Sequence, residues 1–275
     1  MAAASPPPAV PPAPGPTTPS PAKSALVSPP ASDRVGSIVE SGAVRRESVR
    51  VLRWSVRGAA KVTGDVDSGD VSVRGGLSVG GKLRADRLDA HGAVEVMGPI
   101  DVSGPWRGDG DVRAASTVHA AELSFKGSFR TRGPMTVDRA MDIRGSLSGP
   151  SITAGTLRLD GTAEVDGAVQ ALAMELRLRD SSSFGTLKAK KVRATGRVPN
   201  PVDVALHRHF DMKVDRIEAE EVELEGVDVG FVHANRITLG RGAHVTAIEG
   251  KVVRRHASAR VGPESRSPPP YGLWR

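Results

Sequence analysis

Large apolar residues recur along this chain at a step of 16 to 18 positions, and that spacing decides most of what it can fold into. Trp54, Val71, Leu88, Trp106, Leu123, Met141, Leu157, Met174 and Val192 form one series, with steps of 17, 17, 18, 17, 18, 16, 17 and 18. Two further apolar stations lie between successive members: Leu77 and Leu83, Val94 and Ile100, Val112 and Val118, Phe129 and Met135, Leu147 and Ile152, Ala163 and Val169. Three stations per period, five or six residues apart, do not make the apolar stripe of a helix. They fit short strands.

Side chains alternate faces along a strand. Couplets such as Val71-x-Val73, Leu123-x-Phe125 and Leu157-x-Leu159 therefore point both apolar residues one way and the residue between them outward. Three such strands joined by bends close a triangular coil of about 17 residues. Glycine at the corners (Arg74-Gly75-Gly76, Val79-Gly80-Gly81, Asp160-Gly161) supplies bends that need positive φ. One coil buries too little to stand alone, so coils must stack and share ladder hydrogen bonds and apolar contacts. The predicted fold is all-β: a parallel β-helix of three strands per coil over residues 35–252, about eleven or twelve coils tall. A β-sandwich would put its turns at irregular intervals instead.

Ile38 extends the series upstream, and Val222-x-Leu224, Val227-x-Val229 and Ile237-x-Leu239 extend it downstream. The register lapses over GRVPNPVDVALHRHFDMK, residues 196–213. That stretch reads as a loop or disrupted coil within one solenoid, or as a boundary between two stacked lobes.

Composition sets the compartment and the tails. With aromatic residues at 3%, the interior is expected to consist of small branched side chains in thin layers. The absence of cysteine excludes disulfides and thiolate metal sites and agrees with a cytoplasmic protein. No stretch approaches the roughly 20 apolar residues that span a bilayer. The opening MAAASPPPAVPPAPGPTTPSPAK has neither a charged leader nor an apolar core, so it does not read as a secretory signal. Residues 1–34 are expected to be a disordered, proline-rich tail.

The net charge of +7 is unevenly placed: residues 251–275 hold six Lys/Arg and one Glu, whereas residues 215–228 hold seven acids and one Arg. The body between the tails is near neutral, which argues against a body-wide nucleic-acid surface. The basic segment 253–275 offers Arg254, Arg255, Tyr271 and Trp274 for contact with anionic lipid or a protein partner. As a plain solubilising tail it could also pair with the acidic coil.

Several local patterns invite a chemical reading. Gly76-Leu77-Ser78-Val79-Gly80-Gly81-Lys82 nearly spells a phosphate-binding loop, but Leu83 stands where Ser or Thr would hold magnesium. His207, His209 and Asp211 share one parity and form a weak metal candidate that lacks a further ligand. His119, His233 and His244 invite comparison with the single histidine of β-helical acyltransferases. Asp101, Asp109 and Asp111 invite comparison with the clustered acids of polysaccharide-cleaving β-helices. The 16- and 17-residue steps fit the first group poorly, and short turns without neighbouring acids fit the second poorly.

The stretch VDRIEAEEVELEGVDVGFVHANRITLGRGAHVTAIEG, residues 214–250, resembles the end of a bactofilin domain in its I-x-A-x-x-V-x-L and I-x-L-G-x-G units. In period alone the resemblance covers 38–250. It implies a right-handed β-helix and a bacterial cytoskeletal protein that polymerises end to end without nucleotide, with flanking tails attached to membrane or partners. This body is longer than the family's usual core and richer in Arg and Ser.

Physics points to self-association independently, because the terminal coil of a β-helix leaves backbone groups and an apolar layer unpaired. No amphipathic capping helix precedes Ile38, and after Val252 the chain turns basic. The ends are therefore expected to be uncapped, with Ile38 and Val44 at one and Ile248 and Val252 at the other. The expected partners are further copies of the chain and, through the tails, a membrane surface or cell-envelope proteins. No specific nucleic acid and no cofactor is expected. The place of action is the cytoplasm, with membrane association through the tail. The competing expectations are a β-helical enzyme acting on carbohydrate or acyl substrates, and a monomeric binding module.

Overall fold

A computed structural model of the chain describes Arg34 and residues 36–179, 181–196 and 212–262. The proline-rich N-terminal segment, the stretch 197–211 and the segment from 263 onward lie outside the described residues. Each turn is a single long strand bent at its corners rather than three separate strands, because parallel pairing persists around the bends. In chain order the strands are β1 (Ser37–Arg46), β2 (Val49–Val62), β3 (Val66–Val79), β4 (Leu83–Val96), β5 (Ile100–Ala114) and β6 (Val118–Thr131). There follow β7 (Met135–Gly149), β8 (Ile152–Leu178), β9 (Ser182–Thr195), β10 (Met212–Glu225), β11 (Asp228–Leu239), β12 (His244–Arg255) and β13 (Arg260–Val261). All pair in parallel in sequence order within one 13-stranded sheet, a solenoid of about twelve turns.

The 17-residue series stands as a vertical file. Ile38, Trp54, Val71, Leu88, Trp106, Leu123, Met141 and Leu157 are successive register partners. Met174, Val192, Val222, Ile237 and Val252 continue it. The two runs meet inside β8, whose 27 residues cover more than one turn. Val192 pairs with Val222 directly, so one lattice crosses the lapse at 196–213 and the solenoid is not divided there. A second file runs Val49, Val66, Leu83, Ile100, Val118, Met135 and Ile152. Every one of those seven is almost fully buried. Aromatic side chains concentrate mid-column, where Phe129 meets the Trp106 ring at 5.3 Å and the Phe125 ring at 5.7 Å, both edge-on.

The corners differ in kind. Gly42, Gly58, Gly75, Gly92, Gly110, Gly127, Gly145 and Gly161 are register partners in successive turns, all with positive φ. A Cβ on Gly75 would land on the carbonyl oxygen of Gly58, and the same clash repeats up the column. This spine fixes one corner. Register shifts between Ala85 and Leu88, Val102 and Pro105, Ala120 and Leu123, Val137 and Ala140, and Ala234 and Arg236 fall at a second corner, while one between Val165 and Ala168 falls at the third and one between Ile237 and Thr238 within a face. Between β4 and β8 the 16-to-18 variation in step is absorbed at the second corner, by a bulge of one residue.

Outward rows carry charges in rungs between turns. Lys188, Lys191 and Arg193 of β9 meet Glu218, Glu221 and Glu223 of β10 at 3.0, 3.5 and 3.5 Å. The acidic run thus finds its cations on the body itself, in the turn before it. Burial weakens the charge on Glu218, but hydrogen bonds from Lys188 and Arg216 outweigh it and hold the carboxyl below its ordinary range.

Candidate functional site: the ends of the solenoid

At the first turn, Ile38 and Glu40 face inward on one side and Val44 and Arg46 on the next, because they are register partners of Trp54, Val56, Ala60 and Val62. Ile38 and Val44 are half-buried. Glu40 heads a file that continues through Val56, Val73, Ala90 and Gly108, and 6% of its side chain is exposed. Its Oε1 accepts from Arg46 Nε at 2.7 Å, and its Oε2 accepts from Trp54 Nε1 at 3.0 Å. A buried carboxylate is costly unless paired, and here both oxygens have donors. The terminal layer is therefore mixed, not the wholly apolar surface expected from sequence. The other edge of β1 has no strand beside it among the described residues.

At the last turns, β13 covers only His244 and Val245 of β12. Ile248 is buried at 5% exposure, so of the two apolar residues expected at this end only Val252, at 36%, opens to the surface. Arg254 pairs in register with Thr238 on the outward side. Arg255, which is exposed, pairs with the buried Leu239 just past a register irregularity between Ile237 and Thr238. Its Nη2 and Nε reach the carbonyl of Ala259 at 3.1 and 3.3 Å. The first turn thus buries an ionic side chain where inner turns carry apolar ones, and at the last turn the register partner of Leu239 is an exposed arginine. The couplet rule marks these positions (Ile38-x-Glu40, Val44-x-Arg46), but a search for apolar residues passes over them.

The chemically suggestive residues divide clearly. Leu83 is fully buried in its file, no helix follows Lys82, and the Lys82 N–H is taken by Asp65 Oδ1 at 2.8 Å, so Gly76–Leu83 is the end of β3 and the corner after it, not a phosphate cradle. Histidines pair with carboxylates one turn away: His91 with Asp109, His244 with Asp228 at 2.8 Å, and His233 with Glu249 at 3.0 Å. His119 lies between two, with Nδ1 at 2.9 Å from Asp101 and Nε2 at 3.2 Å from Asp138. Burial lowers its proton affinity, but those two hydrogen bonds and charges outweigh it and raise its pKa. With both ring nitrogens committed to carboxylates, His119 presents no free base to a substrate hydroxyl. Asp111 is held by Arg113 at 3.0 Å. No grouping of three metal-ligating side chains occurs among the described residues. His207, His209 and Asp211, and also Tyr271 and Trp274, lie outside the described residues.

Among the described residues no helix is long and apolar enough to cross a membrane. Comparison with protein-family models, with curated proteins and with solved structures finds no match.

Proposed function

We propose that this chain is a self-assembling structural scaffold of bactofilin type. It polymerises through the ends of its solenoid without nucleotide or other cofactor, carries out no catalysis, and acts in the cytoplasm. Its basic C-terminal segment, with Arg254, Arg255, Tyr271 and Trp274, serves a membrane surface or envelope partner. The observation that supports this most is the state of the two ends. One edge of β1 and the Ala247–Arg255 stretch of β12 leave ladder groups without a strand beside them among the described residues. Such edges pair readily with another chain unless something covers them. Glu40 is already neutralised within its own layer, so covering that end strands no charge.

Sedimentation of the purified full chain tests the proposal, alongside a variant lacking residues 1–33. Both are expected to pellet in nucleotide-free buffer as filaments visible by negative stain. Monomer in the supernatant throughout the micromolar range would contradict the proposal.

A further inference from the structure

We infer that one wall of the solenoid is a docking surface for an extended acidic peptide of a protein partner. This goes beyond the proposed scaffold role and does not depend on self-assembly, because the wall is separate from the two ends. Along it, Arg45, Lys61, Ser78, Glu95, Arg113, Arg130 and Ser148 are successive register partners, one per turn from β1 to β7. Two rungs of that file set cation on cation: Arg45 against Lys61, and Arg113 against Arg130. Like charges directly opposite each other are destabilising in a sheet. Other outward cations meet acids in the next turn instead, as Arg53 meets Asp70 at 3.5 Å and Arg158 meets Glu175 at 3.7 Å. Across the glycine corner, Arg57 on Arg74 adds to the same positive field.

None of Arg45, Lys61, Arg130 and Arg132 forms an ion pair among the described residues, and all four are exposed. Arg113 is held by Asp111 at 3.0 Å, and Glu95 is the one acid in the file between Arg45 and Ser148. Hollows of about 740 and 500 Å³ lie beside the file. Arg45 and Lys61 line the first, Arg130 and Arg132 the second, and Glu95 and Arg113 both. The first is also lined by Ala43, Ala59, Gly76 and Ala93, successive register partners small enough to let a docked backbone come close.

Charge and spacing select the occupant. Lys61 and Arg113 stand three rungs apart, about 14 Å, and an extended chain covers that distance in about four residues. Residues four apart lie on one face of an extended chain, so two acids at that spacing meet Lys61 and Arg113 together, with Arg45 and Arg130 flanking them. Glu95 faces the stretch between and selects a neutral or basic residue there. Guanidinium groups grip carboxylates through paired hydrogen bonds, which favours side-chain acids over a diffuse negative charge. No aromatic ring lines either hollow, so single-stranded nucleic acid lacks the stacking platform it uses.

Fluorescence anisotropy of the full chain with a labelled Ser/Thr-rich peptide carrying two glutamates four residues apart tests the inference. Lys61→Glu and Arg130→Glu are each expected to weaken binding about tenfold or more. Lys190→Glu, exposed on β9, is expected to leave it unchanged. Both test positions are exposed and free of ion pairs among the described residues, so the variants keep the fold. Moving the two glutamates to adjacent positions sets them on opposite faces of the peptide and is expected to weaken binding severalfold. A wild type that does not bind the peptide, or binding indifferent to both charge reversals or to the changed spacing, would overturn the inference. Tighter binding of a deoxythymidine oligonucleotide or of phosphatidylglycerol vesicles, lost in the same variants, would overturn it by making the wall a nucleic-acid or lipid surface. Sedimentation reads the ends and anisotropy reads the wall, so failure of one proposal is distinguishable from failure of the other.

Discussion

Two adjacent glycines separate what this backbone requires from what it tolerates. Gly75 has φ +127, and a Cβ there would strike the Gly58 carbonyl; Gly76 lies outside the positive-φ region and has only the Ala59 Cβ nearby, at 3.9 Å. Gly75→Ala is expected to cost roughly 2–4 kcal/mol in denaturant unfolding, through strain and displaced backbone. Gly76→Ala should change stability by less than about 1 kcal/mol, and in the stabilising direction, because it restricts only the unfolded chain. Equal effects at the two sites would contradict the spine. The tryptophans give a parallel contrast. Trp54 Nε1 donates to the buried Glu40, whereas Trp106 Nε1 is buried with no hydrogen-bond partner among the described residues. Trp54→Phe removes a donor from a buried carboxylate and is expected to cost about 1–3 kcal/mol more than Trp106→Phe, which removes an unsatisfied group. Urea midpoints of the two variants measure the difference.

At the scale of one turn against the next, stability depends on charge rungs that respond to pH. His119 bridges Asp101 and Asp138 across neighbouring turns, and its pKa in the folded state is raised. Its contribution is therefore full below the unfolded value near 6.5 and is lost as pH rises through the folded one. Between pH 5.5 and 8.5 the wild type should lose stability as pH increases, and His119→Asn should flatten that slope. Glu218 has the opposite sign, with a depressed pKa whose contribution is lost only on acidification below the ordinary carboxylate range, so it stays constant in this window. An unchanged slope in His119→Asn would show that the bridge does not stabilise the fold. The turn is also the scale at which the sequence was most legible. Strand alternation and equal coil lengths force apolar residues into a fixed period, so Trp54, Val71 and Leu88 announce their file without any structure. Corner glycines are recognisable singly, but their alignment into one spine needs the register, and so does the fact that Ala85–Leu88 and its counterparts in β5 to β7 absorb the single-residue shifts there. The histidine rungs obey the same period: His119 follows Asp101 by 18, and His244 follows Asp228 by 16. They stay hidden when the histidines are read as isolated catalytic candidates rather than as partners of carboxylates one coil apart. Glu40 escapes for a related reason, since hydrophobicity alone does not mark a charged residue at an inward position.

For the whole molecule, the solenoid is a one-dimensional lattice in which each turn is stabilised chiefly by its neighbours. Interior turns have two neighbours and terminal turns one, so the ends are where free energy is left to gain from another copy. The described ends neither bury that surface fully nor expose a purely apolar layer: Val252 stays open, Glu40 is neutralised internally, and Arg255 is exposed. Association through such ends should be specific in register rather than indiscriminate. The most direct measurement is electron cryo-microscopy of the full chain in nucleotide-free buffer. The account predicts filaments in which the strand ladder runs unbroken through each junction, with one subunit per roughly 60 Å for about twelve turns at ~4.8 Å each. Isolated monomers at every concentration, or assemblies joined side to side with free solenoid ends, would contradict it.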